Sequence, residues 1–124
     1  MTINWSEFVL ITLVVMVPLV IALRRSRISA DDALARLKDG GVLVDVRTES
    51  EFAAGHLPGA INFPVEAITK TLPAKMPNKA TVLLLHCESG TRSGVAQTKL
   101  RAMGYANAFN LGSYSRAAQI VART

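Results

Sequence analysis

Cysteine, histidine and aromatic residues are all scarce in this chain. Its 124 residues include one cysteine, Cys87, and two histidines. A single cysteine excludes an internal disulfide and fits a reducing compartment, and the lack of repeated Cys/His spacing predicts neither a metal site nor a cofactor. Aromatic residues make up 6% of the chain and do not alternate with basic ones. We therefore expect no nucleic acid partner, despite the formal net charge of +5.

Charged residues are also missing from the stretch Phe8 to Leu23, FVLITLVVMVPLVIAL. As a helix it would cover about 24 Å, somewhat short of a hydrocarbon core of about 30 Å. Trp5 on one side and arginines on the other can extend it into the membrane interfaces. The sequence therefore predicts a short tail at 1–7, one transmembrane helix at 8–23, and a basic juxtamembrane linker at 24–28 that meets the anionic lipid of the bilayer.

The charges that flank this stretch predict its orientation. Arg24, Arg25 and Arg27 follow the apolar residues, whereas Glu7 is the charged side chain that precedes them. The positive-inside rule therefore predicts a single-pass membrane protein whose C-terminal domain lies in the cytoplasm. The alternative is a signal peptide that is cleaved after Ala22, with the domain exported. The missing basic segment at the N-terminus argues against that alternative.

Residues 29–124 are expected to form one domain in which helices and strands alternate. Ser29 is expected to cap the first helix of this domain, Pro73 to end its third and Gly104 to stop its fourth. Val95, Leu100 and Met103 are expected on the apolar face of that fourth helix. The predicted helices are 29–38, 49–54, 65–72, 93–103 and 114–121, and the predicted strands are 42–46, 61–63, 82–85 and 106–111. This alternation predicts an α/β fold, with a parallel sheet flanked by helices on both faces.

The predicted strand 82–85 delivers Cys87 to the carboxyl edge of that sheet. The amides of a tight loop and the N-terminus of the next helix make this edge electropositive, which lowers the pKa of a cysteine thiol. Arg92 can place a guanidinium over an incoming oxyanion, and Ser93 offers either a helix N-cap or a hydrogen bond within the loop. Glu88 acts in the opposite sense, because a carboxylate repels anions and raises the pKa of a nearby thiol.

Two motifs follow one another in this domain. The first is DVRTESEFAAGHLPGAINFP, from Asp45 to Pro64, and the second is the loop HCESGTRSG, from His86 to Gly94. The loop resembles the active-site loop of the rhodanese family of sulfurtransferases, and the first segment is similar to that family's D-V-R, E-F and G-H-x-P-G-A-x-N-x-P signature. The resemblance covers roughly Ser29 to Leu111 and implies a rhodanese-like parallel sheet.

In that family a sulfane sulfur passes from a donor such as thiosulfate to the cysteine, which holds it as a persulfide, and then to a thiophilic acceptor. The resemblance implies that Cys87 is the catalytic nucleophile, with a small anionic sulfur donor and a thiol or cyanide-like acceptor as partners. It implies that the donor is bound by the loop residues Glu88, Ser89, Gly90, Thr91 and Arg92. Supporting roles are expected for Asp45, Arg47 and Ser93, and Glu51 is expected to join Asp45 and Arg47 in a charge network that fixes the loop.

Two other functions compete with sulfur transfer. Phosphatases that share the fold place an arginine six positions after the cysteine, but Arg92 is the fifth residue after Cys87 and Ser93 the sixth, which disfavours a phosphatase. Several members of the rhodanese family carry an arginine directly after the cysteine, whereas this chain has Glu88. The main alternative is therefore a weakly catalytic or non-catalytic module that docks a membrane protein partner or carries a persulfide.

The two histidines are expected to have structural roles. Successive side chains of a strand point to opposite faces of the sheet, so His86 should face away from Cys87. His56 lies in the turn-rich segment Gly-His-Leu-Pro-Gly and is expected to hydrogen-bond loop backbone. Tyr114 is expected to fill the core or its rim.

Overall fold

The computed structural model describes residues 2–25 and 27–124. Residues 1 and 26, which belong to the predicted tail 1–7 and linker 24–28, lie outside the described part. The helices are α1 (Trp5–Arg25), α2 (Ala30–Lys38), α3 (Glu49–Ala54), α4 (Ile68–Lys75), α5 (Thr91–Ala102) and α6 (Tyr114–Val121), and a 3₁₀ turn at Val65–Ala67 precedes α4. The strands are β1 (Val42–Asp45), β2 (Ile61–Asn62), β3 (Leu83–His86) and β4 (Ala108–Gly112).

The four strands form one parallel sheet in the order β2-β1-β3-β4. Alternate residues of the central strands face two separate cores, because side chains in a strand point to opposite faces. Leu83 and Leu85 pack with α4 and α5 on one face, whereas Leu43 and Leu84 pack with α2 and α6 on the other. The predicted α/β fold, with helices on both faces of a parallel sheet, is confirmed.

Helix α1 is longer than the uncharged stretch that predicts it. Its 21 residues correspond to about 32 Å at 1.5 Å per residue, which matches a hydrocarbon core of about 30 Å. Residues 5–22 are long and apolar enough to cross a membrane, and none of them is buried against the rest of the protein. Helix α1 is therefore a candidate membrane span or signal sequence. Pro18 lies inside it, and membrane-spanning helices tolerate a proline within them.

Two predictions about helices in the domain are wrong. Pro73 does not end α4, which continues to Lys75, because a proline removes only its own N–H donor and the Met76 N–H still donates to the Leu72 carbonyl at 2.8 Å. Val95 was expected on the apolar face of the helix after the loop, but its side chain is 46% exposed. The buried stripe of α5 includes polar side chains instead: Ser93, Ala96, Gln97 and Leu100.

Candidate active site

The loop between β3 and α5 wraps its backbone around the sulfur of Cys87. β3 ends at His86, Cys87 follows it, and α5 begins at Thr91. The Gly90 N–H donates to the Cys87 Sγ at 3.0 Å, as expected for a cradle of loop amides. Gly90 has a left-handed φ of 97°, and a Cβ there would lie 3.2 Å from the backbone of Gly112. Only glycine satisfies both the turn and this close approach without strain.

The environment of Cys87 favours its thiolate. Burial alone raises the pKa of the thiol, but the hydroxyl of Ser93 and the backbone N–H groups of Ser93, Gly90 and Ser89 outweigh it, so the pKa of Cys87 is lowered from its ordinary value. These donors stabilise the charged form directly. Although Cys87 is 0% exposed, the hydrogen bonds of the loop make its thiol more acidic than an ordinary cysteine.

Ser93 was predicted either to cap a helix or to hydrogen-bond within the loop, and it is not the N-cap of α5. Gly90 occupies the cap position, and Ser93 lies in the first turn of α5. Its hydroxyl is 3.5 Å from the Cys87 Sγ, 3.1 Å from the Gly90 carbonyl and 3.4 Å from the Gly112 carbonyl. The other predicted role, a hydrogen bond within the loop, describes this geometry.

Arg92 lies at the start of α5, but its guanidinium is already paired. Its two terminal nitrogens donate to the two carboxylate oxygens of Glu51, at 2.6 Å and 3.0 Å. The Glu51 carboxylate also accepts from the Thr48 N–H at 3.2 Å, which completes the capping box of α3. Glu51 was expected to pair within the network of Asp45 and Arg47, and the structure places it on Arg92 instead.

Asp45 and Arg47 form a buried ion pair next to the loop that follows Cys87. The Arg47 guanidinium donates to both Asp45 oxygens, with distances from 2.8 to 3.0 Å, and the two residues are 6% exposed or less. Arg47 also donates to the Gly55 carbonyl at 2.7 Å and lies 3.5 Å from the Glu88 carboxylate. Glu88 is 63% exposed, so the residue after the nucleophile reaches a cation and solvent.

His86 lies on the opposite side of β3 from the cysteine's core cluster. Its ring contacts Tyr114 edge-on, with centroids 5.6 Å apart, and its Nε2 is 3.7 Å from Asp45. Burial lowers the pKa of this histidine, and its Nε2 has no hydrogen-bond partner within residues 2–25 and 27–124. The predicted orientation away from Cys87 is confirmed. His56 hydrogen-bonds a backbone carbonyl at 2.9 Å, but this carbonyl belongs to Phe52 of helix α3 and not to the loop backbone that was expected.

Sequence reasoning missed the contacts between the loop after Cys87 and the chain at the end of β4. The Cys87 N–H donates to the Gly112 carbonyl at 3.3 Å, and the Tyr114 N–H donates to the Glu88 carbonyl at 3.1 Å. Gly112 has a φ of 96°. The available signal was a glycine at the carboxyl end of a neighbouring parallel strand, which places it on the same sheet edge as Cys87.

Comparison with known proteins gives a consistent result. The rhodanese-like domain family matches residues 29–118. The chain is 32% identical to the thiosulfate sulfurtransferase PspE of Escherichia coli over 56% of this chain and 66% of that protein. It is 35% identical to the thiosulfate:glutathione sulfurtransferase of Saccharomyces cerevisiae over 53% of this chain and 55% of that protein. The chain thus spans about half to two thirds of the length of these relatives.

A human single-domain sulfurtransferase has a similar fold. Its solved structure superimposes with a TM-score of 0.65 at 29% identity, and the match covers 76% of this chain and 96% of that one. The match therefore leaves about a quarter of this chain uncovered. Within the described residues, moreover, no group of three or more His, Cys, Asp or Glu side chains could hold a metal ion.

Proposed function

This chain belongs to the rhodanese-like domain family, and from that membership we propose that it transfers a sulfane sulfur from a donor, such as thiosulfate or a persulfide, to a thiophilic acceptor. The observation that carries the proposal is the contact between the Gly90 N–H and the Cys87 Sγ at 3.0 Å, together with the lowered pKa of this thiol, in which the donors of the loop outweigh its burial. Only a thiolate is nucleophilic enough for the reaction.

The reaction proceeds in two displacements at sulfur. The Cys87 thiolate attacks the outer sulfur of the donor, the donor's S–S bond breaks, and its electron pair leaves with sulfite or a thiolate. Cys87 then carries a persulfide anion, whose charge the amides of Glu88 to Arg92 stabilise as in an oxyanion hole. An acceptor thiolate or cyanide attacks the outer sulfur, which breaks the new S–S bond and restores the Cys87 thiolate.

The other predicted site residues act around this reaction. Ser89, Gly90 and Thr91 form the loop that surrounds the outer sulfur, and Arg92 receives the negative end of a donor when Glu51 releases it. The pair of Asp45 and Arg47 positions the loop, and Ser93 polarises the thiol. The proposed site therefore comprises Cys87 as nucleophile, Glu88 to Arg92 as the binding loop, and Asp45, Arg47 and Ser93 as supporting residues.

The test of this function is direct detection of the intermediate. Incubation of the full chain with thiosulfate or a persulfide donor is expected to add one sulfur atom, located at Cys87 by peptide mass spectrometry. Subsequent addition of cyanide should remove that atom and yield thiocyanate. Absence of the added sulfur with every donor would contradict sulfur transfer.

A docking or persulfide-carrier module is the second candidate. The complete burial of Cys87 and the occupied guanidinium of Arg92 favour slow turnover with small molecules. Under this function, the persulfide forms but is released only to a membrane protein partner. Sulfur loading without turnover to cyanide or small thiols would support the carrier over the enzyme.

We further propose that α1 anchors the domain at 29–124 to a membrane, with the domain on the cytoplasmic side. None of its residues 5–22 is buried against the domain, and Arg24, Arg25 and Arg27 follow its uncharged stretch in the sequence. The full-length chain is expected in the membrane pellet after extraction with alkaline carbonate. Release into the supernatant, or a mass that lacks residues 1–22, would contradict the anchor and favour a cleaved signal peptide.

A further inference from the structure

Arg92 lines a cleft of about 540 Å³ next to the core that holds Cys87. Val46 and Val65 also line this cleft, and both pack with the hydrophobic cluster that contains Cys87. The remaining charged residues of its lining are acidic, Glu49 and Glu66, and both are exposed. A sulfur donor that enters here therefore meets Arg92 as the cation and two carboxylates on the rim.

Glu51 cancels the charge of that cation. The pair uses both terminal nitrogens of Arg92 and both carboxylate oxygens, which is the strongest geometry between these groups. The hydrogen bond from Arg92 lowers the pKa of Glu51 to about 2, so the carboxylate stays ionised at every pH at which the protein would be assayed. The side chains of Arg92 and Glu51 are 36% and 33% exposed, which leaves them accessible to an incoming ligand.

This pairing has different consequences for donors of different charge. Thiosulfate carries two negative charges, so it gains the help of Arg92 only by displacing Glu51, an intramolecular competitor at high effective concentration. It is also repelled by the carboxylates of the cleft and by Glu88. A persulfide with a neutral or cationic body needs no such displacement, and the carboxylates attract a cation.

We propose that Glu51 determines donor specificity: by holding Arg92, it makes the site favour persulfide donors with neutral or cationic bodies over the thiosulfate dianion. This inference rests on the proposed sulfur transfer at Cys87. For such a persulfide, the Cys87 thiolate attacks the outer sulfur, the persulfide's S–S bond breaks, and the rest of the donor leaves as a thiolate. No further reactant is needed to load the enzyme.

The test uses three donors in a charge series: thiosulfate, methanethiosulfonate and cysteamine persulfide. Glu51→Gln removes the charge and keeps a residue that suits the third position of a capping box. The variant should raise kcat/KM roughly tenfold for thiosulfate and roughly threefold for the singly charged thiosulfonate, and leave cysteamine persulfide within about twofold of wild type. Higher ionic strength should raise the wild-type kcat/KM for thiosulfate and lower it for cysteamine persulfide.

Two further variants separate this role from a general effect of charge or folding. Glu66→Gln removes one charge from the same cleft without touching Arg92, and its gain with thiosulfate should be less than about twofold. Combining Glu51→Gln with Arg92→Gln should abolish the gain, since the effect acts through the guanidinium. Equal changes for all three donors, or a gain that survives the loss of Arg92, would overturn the inference while sulfur transfer stands. Failure of every donor to load sulfur on any of these proteins would overturn both proposals.

Discussion

Replacing Cys87 with serine is expected to lower kcat/KM for sulfur transfer by roughly 10³-fold or more. A serine hydroxyl is not ionised at neutral pH, and it cannot hold the transferred sulfur as a persulfide. The substitution is nearly isosteric, so the contacts with Gly90 and Ser93 can persist in the buried site. The measurement is the steady-state rate of thiocyanate formation with each donor. Residual activity above about a tenth of wild type would place the nucleophile elsewhere.

Ser93→Ala is the matched variant, because it keeps the sulfur and changes only its surroundings. Among the groups that lower the pKa of Cys87, the hydroxyl of Ser93 makes the largest contribution, so its removal should raise that pKa. Since Cys87 is the one cysteine, thiolate absorbance reports it alone. In the variant, the absorbance should rise at a higher pH than in wild type. Coincident curves would exclude the hydroxyl from thiol activation.

The elements that the sequence pattern predicted well are those whose causes are local. The run from Val82 to Leu85 is apolar at every position, as expected for a parallel strand covered on both faces, and β3 lies one residue further along. Ser29 caps α2 as expected, through its contact with the Asp32 N–H. Gly104, expected to stop the helix after the loop, has a φ of 99°. Each of these features depends on a few neighbouring residues.

The features that could not be predicted depend on contacts between distant parts of the chain. Glu51 and Arg92 are 41 positions apart, and nothing in either motif indicates that the two side chains form an ion pair. The motif around Cys87 therefore suggested a free arginine, whereas the fold brings α3 against the start of α5 and pairs it. Similarly, α5 begins at Thr91 because Gly90 adopts a left-handed conformation next to the backbone of Gly112, at the end of another strand. Ser93 therefore lies in the first turn of α5 and not at the cap position.

The buried pair of Asp45 and Arg47 should be the most sensitive point of the domain's stability. Arg47→Met is expected to lower the free energy of unfolding by about 3–5 kcal/mol, because it leaves the Asp45 carboxylate charged and buried without its partner. It also removes the donor to the Gly55 carbonyl. The loss is measurable by urea denaturation of the full chain in detergent micelles, followed by far-ultraviolet circular dichroism.

A matched arginine tests whether burial is the cause of that sensitivity. Arg123 pairs with Asp31 at 3.3 Å, but the two side chains are 52% and 89% exposed, so Arg123→Met should cost less than about 1 kcal/mol. Replacing both buried partners, by Asp45→Asn with Arg47→Met, should recover part of the stability lost in Arg47→Met, since no charge then remains buried. A loss of unfolding free energy in Arg47→Met as small as that in Arg123→Met would contradict this account. In that case the loop above Cys87 would be held by its backbone contacts with Gly112 and Tyr114, and sulfur loading should survive Arg47→Met.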